Sequence, residues 1–194
     1  MNTSPSGRLI VISGPSGVGK TTIVESILES TPSVFSVSAT TRSARSGEVD
    51  GVDYHFVDRG SFKAMVASGE ILEWAEYGGN LYGTLRSSVQ PILESGRNVI
   101  LDIENEGAKQ IRASCPEALL IFVVPPDLET LAGRLAGRGD TAQSDMALRL
   151  AVAVEQIAEA PEVYDHIVEN ADLEHATKKV LDIVGAEGTV FPVQ

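Results

Sequence analysis

Apolar runs recur along this chain at residues 9–12 and 119–124, and a third, Val99-Ile100-Leu101, lies within a strand over 98–103 that ends in acid. Unbroken runs of this length read as strands buried on both faces, as in a parallel sheet. Between them, apolar residues fall at helical spacing. Ile23, Val24, Ile27 and Leu28 mark a helix over 20–30, which Pro32 stops. Further helices are predicted over 87–95, over 106–114, from Asp127 through Leu128, Leu131 and Leu135, over 143–160 with Pro161 ending it, and over 173–184. A last strand is predicted over 166–170, and a helix break at 138–140. Strands alternating with helices predict an α/β protein with a mostly parallel sheet flanked by helices.

Residues 34–85 break this rhythm. Short extended stretches are predicted at 35–42, 54–57, 71–77 and 81–85, joined by a loop over 43–53 and a turn at Gly78-Gly79-Asn80. One short helix runs over 61–68, with Ser61 as its cap and Gly69 as its stop. This is a small lobe inserted after the first helix. Trp74 and Phe122 are assigned to the core.

The first aliphatic run leads into Gly14-Pro15-Ser16-Gly17-Val18-Gly19-Lys20-Thr21-Thr22, which fits the phosphate-loop pattern G-x-x-x-x-G-K-[ST]. The glycines allow a tight turn that points backbone N–H groups inward. With the positive end of the following helix they form a cradle for phosphate oxygens. Lys20 can reach β- and γ-phosphates, and the Thr21 hydroxyl can ligate Mg²⁺. The run ending at Asp102 supplies a second candidate metal ligand. Ile103 follows Asp102, where phosphate-loop ATPases often place a glutamate to orient an attacking water. Transfer to an acceptor other than water is favoured.

Bulk properties narrow the classes. The chain has 194 residues, 43% of them hydrophobic, enough for one sizeable core. A net charge of −12 disfavours non-specific nucleic-acid and anionic-membrane binding. Cys115 is the single cysteine, so an internal disulfide and a cysteine-rich zinc site are excluded, and a buried inert thiol is expected. There is no signal-peptide pattern and no run of about 18 apolar residues. A soluble cytoplasmic protein is expected. His55, His166 and His175 lack ligand spacing and read as structural or surface residues.

The stretch Ser38-Ala39-Thr40-Thr41-Arg42-Ser43-Ala44-Arg45-Ser46-Gly47-Glu48, continuing to Gly51 and Tyr54, closely resembles guanylate kinase, whose pattern there is S-x-T-T-R-x-x-R-x-G-E-x-x-G-x-x-Y. Leu72-Glu73-Trp74-Ala75-Glu76 and Gly79-Asn80-Leu81-Tyr82-Gly83-Thr84 are similar to that family's guanine lobe. Leu101-Asp102-Ile103 resembles its acidic strand. Arg134 to Arg138, together with Arg149, resembles its lid, and Val168-Glu169-Asn170 the strand after it. The resemblance runs from about residue 9 to 184.

It implies a P-loop NTPase core at 7–33, 86–126 and 160–186, a GMP-binding lobe at 34–85 and a helical lid at about 127–159. It implies ATP:GMP phosphotransferase activity, with Mg²⁺, giving ADP and GDP, and dGMP as a further acceptor. ATP and GMP would be the partners, with no nucleic acid or membrane, in a monomer or small homo-oligomer. Such a reaction needs no strong base, because the acceptor is already an anion. It needs two anions held in line by positive charge. Of the 15 Lys and Arg residues, Lys20, Arg42, Arg45, Arg134, Arg138 and Arg149 lie in these motifs.

By resemblance, Arg42 and Arg45 grip the GMP phosphate, helped by the hydroxyls of Tyr54 and Tyr82. Arginine's planar fork suits phosphate. Arg134, Arg138 and Arg149 would stabilise the transferring group, and Asn170 would contact the donor nucleotide. Glu73 would accept both N1–H and the 2-amino group of guanine. Adenine offers a lone pair at N1 and no 2-amino group, so such a site can discriminate by roughly 10⁴-fold. Ser38 and Thr84 would complete the base contacts, and Asp102 and Glu104 would also bind GMP, Glu104 standing where the family's second acid helps bind the guanine amino group.

Glu104 departs from the family's L-D-I-D, adding a methylene. Asn105-Glu106 replace a common aromatic or Met followed by Gln, and Leu81 replaces a common Tyr. Two other readings compete with this one. Peptide-binding scaffold domains resemble this family, but they typically have a damaged phosphate loop, which is whole here. A different nucleotide kinase on the same core is opposed by Glu73 and by the Arg42/Arg45 pair.

Overall fold

The computed structural model describes residues 7–136 and 143–186; Arg138 and the break expected at 138–140 lie outside the described residues. In chain order the elements are β1 (Leu9–Ser13), α1 (Lys20–Ser30), β2 (Val34–Phe35), β3 (Ser38–Thr40), β4 (His55–Phe56), α2 (Arg59–Ala67), β5 (Ile71–Tyr77) and β6 (Asn80–Leu85). Then follow α3 (Arg86–Glu94), β7 (Val99–Asp102), α4 (Asn105–Ser114), β8 (Leu119–Val124), α5 (Leu128–Ala136), α6 (Gln143–Val163), β9 (His166–Glu169) and α7 (Leu173–Ala186).

Five strands form one parallel sheet in the order β2-β7-β1-β8-β9. The central strand β1 is buried at every position, which is why its sequence is aliphatic without a break. Its side chains alternate between two layers. Ile10 and Ile12 pack with Ile23 and Ile27 of α1 and Val180 of α7. Leu9 and Val11 pack with Val89 of α3, Ile111 of α4 and Ala160 of α6. Each fully buried aliphatic side chain contributes about 1.5–3 kcal/mol. The sheet is therefore firm where it matters, at the end of β1 from which the phosphate loop emerges.

Residues 38–85 form a second, four-stranded sheet in the order β4-β3-β6-β5. A small core of Ala39, Phe62, Ile71 and Leu81 supports it, with α2 on that face.

Several local expectations are corrected. Asp58, not Ser61, caps α2: its Oδ1 accepts the N–H groups of Gly60 at 2.8 Å and Ser61 at 3.0 Å. A carboxylate one turn earlier reaches the first free N–H groups better than a hydroxyl within the helix. Pro161 does not end α6, which runs on to Val163. Proline removes one internal bond, but the Tyr164 N–H still closes the last turn on the Ala160 carbonyl at 3.0 Å. Phe122 is fully buried, whereas Trp74 is 38% exposed, because β5 is an edge strand. Cys115 is only partly buried, packed beside the α4 layer. Among the described residues no helix is long and apolar enough to cross a membrane.

Candidate active site

The loop between β1 and α1 is braced from three directions. Its first strand ends at Ser13, whose hydroxyl donates to the Ile103 carbonyl at 2.8 Å and ties the loop to the end of β7. Gly14, Pro15 and Val18 are buried, Gly17 partly so, and Ser16 is exposed. Gly19 precedes α1 with φ +103°, a conformation that side-chain-bearing residues avoid, and a Cβ there would stand 2.6 Å from Asn170 Nδ2. Thr21 and Thr22 sit exposed in the first turn of α1. Lys20 Nζ donates to the Gly14 carbonyl at 2.7 Å and the Pro15 carbonyl at 3.4 Å.

Asn170, just past β9, is 2% exposed, and its Nδ2 donates to the Val18 carbonyl at 2.7 Å. Arg134 on α5 donates to the Asn170 carbonyl at 2.9 Å and the Val18 carbonyl at 3.4 Å. One carbonyl of the loop thus links the end of β9 and the start of the expected lid.

The second sheet presents a polar row toward this loop. Ser38 of β3, Thr84 of β6 and Glu73 of β5 stand side by side in register. Thr40, Tyr82 and Ala75 form the next row on the same face. A β-bulge between Ile71 and Glu73 makes this possible. Without it, Glu73 would share a face with Ile71, which belongs to the small core. The extra residue turns Ile71 inward and Glu73 toward the polar row.

Glu73 is 3% exposed. Its Oε1 accepts the Thr84 hydroxyl at 2.6 Å. Burial pushes its pKa up to about 7, opposed only partly by the Thr84 contacts. Thr84 is fully buried and donates its hydroxyl hydrogen bond to Glu73, so it steadies that carboxylate without lining the cleft itself.

Arg42 is held by Glu48 through two bonds of 2.9 Å, and Glu48 also accepts the Arg45 N–H at 2.7 Å. The Arg45 residue is exposed. The Arg42 guanidinium lies 5.3 Å from the centre of the Tyr54 ring, and the Tyr54 and Tyr82 rings meet edge to face at 6.0 Å. The Glu48 hydrogen bonds push the Arg42 pKa up and hold the Glu48 carboxyl down at about 2. Glu48 was the missed residue. It stands inside the motif quoted for Arg42 and Arg45, and its spacing alone does not reveal that one carboxylate holds both.

Lys20, Ser38, Tyr54, Glu73, Tyr82, Asp102 and Glu104 line a cleft of about 300 Å³ between the two sheets. Arg42, Arg45, Thr84 and Arg149 do not line it, and Arg149 lies partly buried on α6. Asp102 ends β7 beside Ile12 of β1. Burial raises its pKa, with Lys20 opposing and Glu104 adding to the shift. Glu104 precedes α4 without capping it through its side chain, and accepts a long bond of 3.4 Å from Gln156 of α6.

A parallel α/β sheet with a glycine-rich loop opening onto α1 defines a phosphate-loop nucleotide-binding protein. The family model described as guanylate kinase matches residues 6–187. A guanylate kinase of Symbiobacterium thermophilum is 46% identical over 188 residues, covering 96% of this chain and 89% of its own. One of Synechocystis sp. is 46% identical over 186 residues, covering 95% and 97%. The crystal structure of guanylate kinase from Anaplasma phagocytophilum superposes with a TM-score of 0.77 at 34% identity, covering 96% of this chain and 88% of that one. The chain belongs to the guanylate kinase family.

Proposed function

We propose that the chain transfers the γ-phosphoryl group of ATP to GMP, giving ADP and GDP, with the phosphate loop holding the donor and the second sheet holding the acceptor. The observation that carries this reading is the carboxylate of Glu73, buried at the cleft wall with one oxygen steadied by Thr84. A buried acceptor pair suits the adjacent N1–H and 2-amino donors of guanine. Ser38 extends the same polar row. dGMP carries the same base and phosphate and is accepted too.

The Arg42 fork, held by Glu48, and Arg45 meet the acceptor phosphate, with Tyr54 and Tyr82 beside them. Lys20 and the loop N–H groups hold the donor phosphates, and Arg134, Arg138 and Arg149 offset charge as the group passes. No general base is needed, so catalysis rests on position and positive charge. Asn170 supports the donor side by fixing the loop at Val18.

Magnesium takes oxygen ligands. The Thr21 hydroxyl and the Asp102 carboxylate offer two, on adjoining elements at the same end of the sheet. Held there, Mg²⁺ would supply positive charge toward the donor phosphates. We place the enzyme in the cytoplasm, in keeping with these substrates and a single cysteine.

Replacing Lys20 tests the arrangement. Lys20→Ala loses turnover by about three orders of magnitude while GMP still binds by calorimetry. A variant that keeps its turnover contradicts the role given to the loop.

A further inference from the structure

The carboxylate of Glu73 has two oxygens, and Thr84 accounts for one. The other, Oε2, lies against Gly107 in the first turn of α4. A Cβ built on Gly107 would stand 2.1 Å from Glu73 Oε2 and 3.0 Å from its Cδ. No side chain fits there while Glu73 keeps its position. Gly107 has no positive φ, so conformation does not explain a glycine at this point. Three residues on, the Gln110 side chain grips the backbone next to Glu73. Its Oε1 accepts the Trp74 N–H at 3.1 Å and its Nε2 donates to the Trp74 carbonyl at 2.6 Å. The amide thus imitates a neighbouring strand at the free edge of β5.

We propose that α4 is a specificity-determining element: Gly107 leaves the space that the Glu73 carboxylate occupies, and Gln110 fixes the height of β5 beside it. Glu73 belongs to the second sheet, whereas Gly107 and Gln110 belong to α4, the helix that packs on the first. The base-reading carboxylate is therefore set between the two sheets and not by its own strand alone. Gly107 and Gln110 touch no substrate in this account. They act by positioning Glu73, and the inference rests on the reading of Glu73 as the guanine acceptor.

The test compares the wild type with Gly107→Ala and Gln110→Ala, varying GMP and ATP separately and recording the melting temperature. Alanine is a better helix former than glycine, so Gly107→Ala does not weaken α4 through propensity. A methyl group there pushes Glu73 aside and loses a charge-assisted hydrogen bond to the base. KM for GMP rises roughly ten- to hundredfold, while KM for ATP stays within about twofold. Gln110→Ala, the milder change, raises KM for GMP about three- to tenfold with the same ATP independence. A merely structural role would shift both KM values together along with any fall in melting temperature, and that outcome overturns the proposal. So does an unchanged KM for GMP in both variants of a wild type that phosphorylates GMP. A wild type without GMP-dependent turnover overturns both the reading of the site and this inference.

Discussion

Arg42 rests both terminal nitrogens of its guanidinium on the Glu48 carboxylate, each at 2.9 Å. Paired forks of this kind are among the stronger polar contacts and fix a plane as well as a distance. The Tyr54 and Phe56 rings lie 5.3 and 5.7 Å from the same guanidinium. Arg42 is thus held in one orientation by the chain's own groups. Glu48→Ala removes that hold but not the charge. KM for GMP rises about tenfold, with KM for ATP unchanged, in steady-state assays. An unchanged KM for GMP contradicts the positioning role.

The same pair carries a pH signature. Glu48 is held at about 2, below the ordinary carboxylate value of 4.5. Its folded pKa is lowered, so its contribution to stability is complete above 4.5 and is lost as pH falls through about 2. Acid unfolding of Glu48→Ala therefore differs from wild type near neutrality and converges with it at about pH 2. A difference that persists unchanged into that acid range contradicts the assignment.

Glu73 behaves in the opposite sense. Its folded pKa is raised from 4.5 to about 7 by burial. The protonated form is favoured in the fold, so stability from this group is complete below 4.5 and is lost as pH rises through about 7. The penalty at pH 8 is about 3 kcal/mol. Glu73→Gln removes it, raising the melting temperature at pH 8 by roughly 5–10 °C and leaving it unchanged near pH 4. The variant loses GMP turnover by about two orders of magnitude. In the wild type, kcat/KM for GMP rises with pH and levels above about 7 if Glu73 has the role proposed for it, because only the ionised carboxylate can accept two neighbouring donors. Equal melting temperatures at both pH values contradict the burial of a charge here.

Much of this was legible in the sequence, for identifiable reasons. The runs at 9–12 and 119–124 became β1 and β8 because a strand buried on both faces admits little but aliphatic side chains. The phosphate loop is local in sequence, so its pattern is complete in one segment. What could not be read were relations between segments. The bulge before Glu73 breaks the alternation that a strand pattern assumes, and it decides which face the carboxylate takes. The Thr84 hydroxyl goes to Glu73, and only strand register shows that the two are neighbours. Arg134 was legible as a cation, but its docking on the carbonyls of Val18 and Asn170 depends on how α5 folds back over the loop.

Asn170 gives a prediction on the donor side. Its side chain is the buried donor to the Val18 carbonyl. Asn170→Ala leaves that bond unmade and costs about 1–3 kcal/mol of stability. Because the loop moves and the second sheet does not, KM for ATP rises several-fold and KM for GMP does not. Thermal melting and two-substrate kinetics check both parts, and a rise confined to GMP contradicts the assignment of Asn170 to the loop.

In the proposed function, a phosphate loop and a guanine-reading carboxylate face each other across one cleft. A coupled assay of ADP release, run with Mg²⁺, ATP and GMP, AMP, UMP or CMP in turn, tests it most directly. Turnover with GMP exceeds that with AMP by roughly 10⁴-fold, and Glu73→Gln cuts that ratio by roughly a hundredfold. Preference for AMP, or ADP release indifferent to GMP, would contradict it.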